Sequence, residues 1–169
     1  MKYAQARQQM IQTWGQLSAE WGINRTMGQI HALLMISPDP MTADQIIGEL
    51  AISRGNVSMN LRNLVEWGVV HKVYIAGDRK EYFASEKDAW KMALQIARER
   101  KRRELDPVIQ SLTQLQDIEG DSASEKEVTE LNKITSQILD VAMQIDKVIE
   151  IGIRAGGQSI VRKLISVLR

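Results

Sequence analysis

The sequence predicts a mainly α-helical protein that carries one small β-hairpin. Three observations lead to this fold class. Apolar residues recur at helical spacing along most of the 169 residues. Their period changes to about two in the segment 69–84, and this segment directly follows a short helix, a turn and a second helix. The order helix, short helix, turn, helix and hairpin is typical of a winged helix-turn-helix, and we expect long dimerisation helices on either side of it.

The first helix is predicted to end near Trp21. Its apolar residues form one stripe with spacings of three or four: Tyr3, Ala6, Met10, Trp14, Leu17 and Trp21. A second helix is expected to begin at Thr26, which forms a capping box with Gln29. Pro38 and Pro40 then end that helix, because neither residue fits inside a continuing one.

The next two helices form the predicted helix-turn-helix. Thr42 with Gln45 has the pattern of a capping box at the start of a short helix. Ser53 is the expected N-cap of the helix that follows, RGNVSMNLRNLVEWG. Gly68 lies at the usual position for a C-terminal stop.

The hairpin is predicted from the change of period. Alternation over 69–76 and 80–84 indicates two strands, and Gly77-Asp78 is typical of a tight turn between them. Ser85 with Asp88 is expected to start the next helix.

The C-terminal half is predicted to be helical, with an interruption at Asp106-Pro107. Ser124 with Glu127 caps a last long helix, and a short apolar tail helix is expected at 159–169. The inward-facing stripe of the long helix consists of Leu131, Ile134, Ile138, Val141, Ile145 and Val148.

The terminal helices are expected to hold two copies of the chain together. A monomer would expose their apolar stripes, and such a patch is normal at a subunit interface. We therefore expect a homodimer. Its N-terminal dimerisation helix would comprise residues 1–25, its winged helix-turn-helix DNA-binding domain 26–84, and its helical linker and C-terminal dimerisation region 85–169.

The second helix of the helix-turn-helix has the exposed polar face that a major groove requires. Arginine can donate two hydrogen bonds to guanine, and asparagine can pair with adenine. Cations on the hairpin can reach phosphates or a narrow minor groove. The predicted DNA-binding residues are Thr42, Ser53, Arg54, Asn56, Ser58, Met59, Arg62, Lys72, Arg79 and Lys80. The alternative is a winged-helix module that binds another protein and no DNA.

Four segments of the chain resemble the MarR-type regulators, and most closely their GbsR-like branch. These segments are WGQLSAEWGINRTMGQIHALL, MTADQIIGELAISRGNVSMNLRNLVEWGVVHKV, GDRKEYFASEKDAWKMA and RERKRRELDPV. The resemblance covers residues 1 to about 110. Asp78-Arg79-Lys80 matches the MarR-like wing motif, whereas Phe83-Ala84-Ser85 stands where Leu-Thr is usual, which favours the GbsR-like branch. The resemblance implies a dimeric transcriptional repressor of genes for uptake or synthesis of the osmolyte glycine betaine.

Trp14 and Trp21 are candidates for an effector site. They lie one heptad apart and face the same way, and a cage of aromatic rings can hold a quaternary ammonium by cation–π attraction. The resemblance implies a small cationic effector such as choline. The alternative is that both rings pack in the core or in the dimer seam.

The basic run 98–103 also leaves two alternatives. Glu99 and Glu104 interleave it, which favours a solvated helix face with internal ion pairs. The other alternative is contact with phosphates near the wing.

The composition argues against other classes of protein. The chain has no cysteine, which excludes disulfides and Cys-ligated metals and fits a reducing cytoplasm. No apolar run approaches a membrane span, and no signal-peptide core is present, so we expect a cytoplasmic protein without membrane contact. His31 and His71 lie on different elements, and no catalytic motif is found, so we expect no enzyme, no cofactor and no metal site. The net charge is only +1, so DNA binding has to depend on local placement of cations.

Overall fold

The computed structural model describes residues 1–115 and 124–154, and the predicted tail helix at 159–169 lies outside them. The elements in chain order are α1 (Tyr3–Glu20), α2 (Arg25–Ile36), β1 (Met41–Thr42), α3 (Ala43–Leu50), α4 (Arg54–Glu66), β2 (Val70–Val73), β3 (Tyr82–Ser85), α5 (Ala89–Arg100), a π-helical turn (Lys101–Leu105), α6 (Asp106–Gln114) and α7 (Glu125–Arg154). The chain divides into a first unit, Met1–Met92, and a second unit that begins at Ala93.

The first unit confirms the predicted winged helix-turn-helix. Helices α2, α3 and α4 pack together and are joined by a three-stranded antiparallel sheet with the order β1-β3-β2, in which β1 comes from between α2 and α3 and the other two strands follow α4. The core is formed by fully buried aliphatic side chains from all three helices, among them Ile30, Leu33, Ile46, Val57 and Leu64. This core supports α4 from one side and leaves its other side exposed.

Local capping explains where the helices of the helix-turn-helix begin. Thr42 and Gln45 form the predicted capping box, and the Ser53 hydroxyl accepts a hydrogen bond from the Asn56 N–H. The prediction for α2 was wrong. Asn24, rather than Thr26, is its N-cap, because the Asn24 Oδ1 atom accepts from the backbone N–H groups of Thr26 at 2.9 Å and Met27 at 3.2 Å.

The hairpin has shorter strands and a longer connection than predicted. Val70 pairs with Ser85 and Val73 with Tyr82, so residues 74–81 form a loop instead of a two-residue turn. We call residues 74–81 the wing loop, and this loop together with β2 and β3 the wing. Within this loop the Asp78 N–H donates to the Ile75 carbonyl oxygen at 3.0 Å, and Gly77 has a φ of +85°. A type II turn requires such a positive φ at its third residue, which accounts for glycine there.

Strand β1 was not predicted, because two residues are too few to show alternation. Met41 pairs with Phe83 and Thr42 with Tyr82, which joins the start of α3 to the wing. The predicted start of α5 at Ser85 was also wrong. Ser85 is the last residue of β3, whereas the Asp88 Oδ1 atom accepts from the N–H groups of Trp90 and Lys91 and caps the helix.

Helix α1 packs against α2 through small residues. A Cβ atom added at Gly28 would lie 2.3 Å from the Ser18 Oγ atom, so the two helices approach too closely for a side chain there. The buried residues of α1 are Ile11, Gly15 and Ser18. They lie on a different face from the predicted apolar stripe, so Tyr3, Leu17 and Trp21 remain exposed.

The second unit contains α6 and α7, and its helix ends follow the prediction. Ser124 and Glu127 exchange three hydrogen bonds at the start of α7. The predicted interruption lies a few residues earlier than Asp106-Pro107: the π-helical turn comprises Lys101–Leu105, and Asp106 and Pro107 begin α6. The apolar stripe of α7 is exposed over 42–69% of each side chain, whereas Thr135 and Ala142 are buried. The described residues therefore leave about half of this stripe exposed to solvent.

Candidate nucleic-acid interface

Helix α4 presents a face of small, polar and cationic side chains. Val57, Leu61 and Leu64 point into the core of the first unit. Because helical residues three and four apart share a face, the residues on the opposite side of α4 point away from the core. The exposed ones are Arg54, Ser58, Met59 and Arg62, and Asn56 is half-buried.

A groove of about 570 Å³ lies between this face and the wing. It brings together six of the ten predicted DNA-binding residues: Thr42, Arg54, Ser58, Arg62, Lys72 and Lys80. Ser53, Asn56, Met59 and Arg79 lie outside its lining. The sequence prediction therefore identified residues that are far apart in the chain but line one surface.

Two of the cations in the groove are already paired with carboxylates. The Arg54 guanidinium donates to the Asp44 Oδ1 atom at 2.6 Å, and the Lys72 ammonium lies 2.6 Å from the Glu81 Oε1 atom. The hydrogen bond from Lys72 to Glu81 raises the pKa of that lysine. Both carboxylates were missed by the sequence analysis, because their partners lie on other elements.

Three further cations of the predicted surface have no ion pair within residues 1–115 and 124–154. These are Arg62 on α4 and Arg79 and Lys80 in the wing loop. They are exposed and can be approached by an anion without first breaking an internal bond. A phosphate backbone is the polyanion that such a surface fits best.

Asp78 organises the wing loop. One of its carboxylate oxygens accepts from the Lys80 N–H at 3.0 Å, and the other accepts from the Tyr82 hydroxyl at 2.7 Å. The Tyr82 hydrogen bond, followed by the one from Lys80, lowers the pKa of Asp78. The acidic residue of the wing motif therefore holds the loop that carries Arg79 and Lys80.

Lys87 closes the sheet onto the end of α2, a role that the sequence analysis missed. Its ammonium donates to the carbonyl oxygens of Leu34 at 2.7 Å, Met35 at 2.9 Å and Ser37 at 2.6 Å. Each of the three ammonium N–H groups of Lys87 thus has an acceptor. Burial of the ammonium lowers the pKa of Lys87. The positive charge suits this position, because a helix C-terminus carries partial negative charge.

The two candidate effector residues have different surroundings. The Trp14 ring is half-buried and meets the His31 ring edge-on, with the ring centres 6.3 Å apart. Trp21 is the C-cap residue of α1 and is 54% exposed. His31 is buried, and burial lowers its pKa to about 4. The half-buried position of Trp14 agrees with the alternative that its ring packs against the protein. The aromatic cage for a quaternary ammonium stays a prediction.

The basic run 98–103 is largely neutralised inside the second unit. Glu99 bonds both Arg102 and Arg103, and these hydrogen bonds, the one from Arg102 first, lower the pKa of Glu99. Arg100 pairs with Glu104 at 3.0 Å. The carboxylates around Lys101 are Asp106, Asp146 and Glu150. The internal ion pairs expected as the first alternative are present.

Two kinds of feature are absent from the described part of the chain. No helix there is long and apolar enough to cross a membrane. No group of three or more His, Cys, Asp or Glu side chains there is arranged to hold a metal ion.

Comparison with known proteins gives two relatives that cover part of the chain, and no family model matches it. It is 31% identical over 86 residues to the HTH-type transcriptional regulator MmpR5 of Mycobacterium tuberculosis, which is 51% of this chain and 46% of that protein. It is 32% identical over 87 residues to the HTH-type transcriptional repressor GbsR of Bacillus subtilis, which is 52% of this chain and 48% of that protein. The chain therefore matches about half the length of each curated relative. The resemblance to GbsR-like proteins is confirmed.

A solved structure supports the fold over a longer stretch. The crystal structure of a transcriptional regulator superposes with a TM-score of 0.56 over 83% of this chain and 95% of that chain. The two sequences are 20% identical. The predicted fold class is thereby confirmed.

Proposed function

We propose that this chain is a transcriptional regulator that binds double-stranded DNA sequence-specifically as a homodimer. The observation that carries the proposal is the groove between α4 and the wing, where unpaired and exposed cations adjoin a helix face of small polar residues. Its similarity to two regulators of the helix-turn-helix type agrees with this surface. The position of each element indicates which part of the DNA it would contact.

Helix α4 is the element for the major groove. The groove of B-DNA admits one α-helix, and Arg62 and Asn56 on α4 can reach base edges from there. Arg79 and Lys80 belong to the wing loop, where phosphates or a narrow A·T-rich minor groove are the better partners. We assign sequence preference to α4 and general affinity to the wing.

A second copy of the chain is the proposed cover for the apolar stripe of α7. Large aliphatic side chains along this helix are exposed in the single chain, and water contact with such a stripe is unfavourable. In the dimer, residues 1–25 and 85–169 would contribute the interface, and residues 26–84 would bind DNA. Two-fold symmetry then requires a palindromic operator.

Repression of osmolyte genes and control by a small cation complete the proposal. Repression is supported by the similarity to the repressor GbsR, and the osmolyte genes are what the sequence resemblance to GbsR-like regulators implies. The cation is inferred from Trp14 in α1 and Trp21 at its end. If Trp14 and Trp21 contribute to a cation site, choline should quench tryptophan fluorescence and shift operator affinity by about 1–3 kcal/mol. Calorimetry without binding heat, together with an unchanged operator affinity, would contradict this part alone.

The test of DNA binding starts with selection of bound fragments from a random library of DNA duplexes. Asn56→Ala, Arg62→Ala and Lys80→Ala are then titrated on the selected operator and on scrambled DNA at several salt concentrations. Loss of Arg62 or Asn56 should cost about 1–3 kcal/mol on the operator. Loss of Lys80 should weaken both duplexes equally and reduce the salt slope by about one.

The outcome that contradicts the proposal is equally concrete. If no sequence is enriched and all three variants bind as the unmodified protein does, the surface does not recognise DNA. A winged-helix module that binds another protein then becomes the better description.

A further inference from the structure

Helix α4 contains one polar side chain on its buried side. Asn60 is fully buried, and the other buried residues of α4 are Val57, Leu61 and Leu64. An amide without hydrogen bonds is costly in such surroundings, and a leucine would fit the pattern of the helix better. The position of Asn60 therefore calls for a role other than filling the core.

The side chain of Asn60 bonds to a residue on the DNA-facing part of α4. Its Nδ2 atom lies 2.8 Å from the backbone oxygen of Asn56 and 2.7 Å from the Asn56 Oδ1 atom. Its own Oδ1 atom is buried and has no hydrogen-bond partner in the part of the chain that the structure describes. Both of its donors are thus spent on Asn56, one turn earlier in the helix.

These two contacts determine which way each amide points. A backbone carbonyl oxygen can only accept, so the Asn60 atom that meets it has to be the NH₂ group. That NH₂ group also meets the side chain of Asn56, and two donors would repel each other. The Asn56 oxygen therefore faces Asn60, and the Asn56 NH₂ group faces away from it.

We propose that Asn60 is a positioning residue that sets the base preference of Asn56. This inference rests on the proposed function, in which α4 lies in the major groove. Asn60 holds the Asn56 amide in one orientation before DNA arrives, so that the group available to a base is a hydrogen-bond donor. An amide without this bond could turn over and offer either its oxygen or its nitrogen.

The orientation predicts a chemical class of base. A donor selects a base edge that carries an acceptor in the major groove, namely guanine, adenine N7 or the thymine O4 atom. Cytosine presents only its N4 donor there and should be rejected at the position that Asn56 contacts. The discrimination expected from one well-placed side chain is about tenfold.

The first experiment compares Asn60→Leu with the full-length unmodified protein. Leucine has the branching of asparagine but cannot donate. The probes are the duplex selected by the unmodified protein and all single-base variants of it. In Asn60→Leu, discrimination against cytosine should fall from about tenfold to about twofold at one position of each half-site. Preferences at the other positions, the salt slope and the folded state should be retained.

A matched control is present on the same helix. Asn63→Leu makes the same chemical change at a residue that does not bond to Asn56, and every base preference should be kept. Asn56→Ala should lose the preference at the same position as Asn60→Leu. Unchanged preferences in folded Asn60→Leu would overturn the inference.

A second variant tests the orientation without disturbing the core. Asn56→Asp keeps the acceptor that Asn60 needs and replaces the outward NH₂ group by an oxygen. Because a carboxylate accepts from the cytosine N4 group, the discrimination against cytosine at that position should be lost or reversed. Retention of the discrimination against cytosine would overturn the inference even if Asn60→Leu did not fold. If the unmodified protein selects no sequence at all, the proposed function itself fails.

Discussion

The two units of the chain place their large apolar side chains in opposite ways. In the first unit Ile30, Leu33 and Ile46 are fully buried, so its core is complete within one chain. In the second unit the stripe of α7 is exposed, while Thr135 and Ala142 are the buried residues of that helix. Helical periodicity alone does not distinguish these situations. It shows that a face is apolar, but it does not show whether the same chain covers that face.

The cations differ between the units as well. Within the second unit, Lys101 and Arg103 are held by carboxylates of the same unit. In the first unit, Arg62 and Lys80 are exposed without an ion pair in the described residues. A basic segment is therefore a poor guide to a DNA surface unless its local partners are known.

The largest effect is expected from charges on the stripe of α7. Leu131→Glu combined with Ile138→Glu would bury carboxylates at the proposed subunit interface, which costs several kcal/mol for each unpaired charge. The dissociation constant of the dimer should rise at least about a thousandfold, measured by analytical ultracentrifugation over a range of concentrations.

Lys133→Glu is the control for this pair, because it makes the same two-unit change of charge at an exposed position whose neighbours three and four residues away are all polar. It should leave the dimer intact. A double variant that sediments like the unmodified protein would show that the stripe of α7 is not the subunit interface. A folded monomer of the unmodified protein at micromolar concentration would do the same.

A truncation in the first unit should instead affect folding. Leu33→Ala removes a fully buried side chain and should lower the free energy of unfolding by about 2–5 kcal/mol in a urea titration. Tyr3→Ala, at an exposed position of α1, should change stability by less than about 0.5 kcal/mol if the dimer is retained. If the two variants were equally stable, the core of the first unit would not be where the structure places it.

Acid should destabilise the first unit through His31. Burial lowers its pKa from 6.5 to about 4, so the folded state resists protonation. Below about pH 6.5 the unfolded chain takes up a proton that the folded chain does not bind until about pH 4, so stability falls over this window. The loss should be about 2 kcal/mol at pH 5 relative to pH 7 and about 3 kcal/mol by pH 4.

His31→Phe should abolish this part of the pH dependence of unfolding, whereas His71→Phe, at an exposed position of β2, should keep it. The second unit contains no histidine, so the effect separates the units chemically. An identical pH profile in His31→Phe and the unmodified protein would show that His31 is not buried in the neutral form.

The smallest effect is expected from the carboxylates in the groove. Asp44→Asn releases Arg54, and Glu81→Gln releases Lys72, so each variant should bind DNA about three- to tenfold more tightly at low salt. Glu104→Gln, which releases Arg100 in the second unit, is the matched control and should leave affinity unchanged. Weaker binding by Asp44→Asn would mean that the pair holds Arg54 in the geometry that DNA requires.

Local features of the sequence predicted much of this structure. Thr42, Ser53 and Ser124 were identified as helix starts, because a cap depends on residues within one turn. Thr26 and Ser85 were wrong, because a neighbouring Asn24 or Asp88 could cap as well. The outcome there depends on where the preceding helix and strand end, which is not a local property.

Some residues of the candidate site could likewise be predicted from the sequence, and others could not. Arg62 and Ser58 could be predicted, since the spacing of the apolar residues shows which side of α4 is polar. Asp44 and Glu81 could not, because each acts on a cation of another element and the register of the strands was unknown. Asn60 was hidden for a further reason. It lies on the buried side of α4, where a sequence pattern predicts only apolar packing.

The ammonium of Lys87 also has a consequence for the order of folding. Its contact with the Ser37 carbonyl joins residues 50 positions apart, so it can form only after a long loop has closed. Contacts between α1 and α2 or between α3 and α4 join neighbours in the chain and close much shorter loops. We expect the helix pairs to form first and the sheet, with Lys87, to be completed after the rate-limiting step. Lys87→Met should then accelerate unfolding and leave the refolding rate almost unchanged.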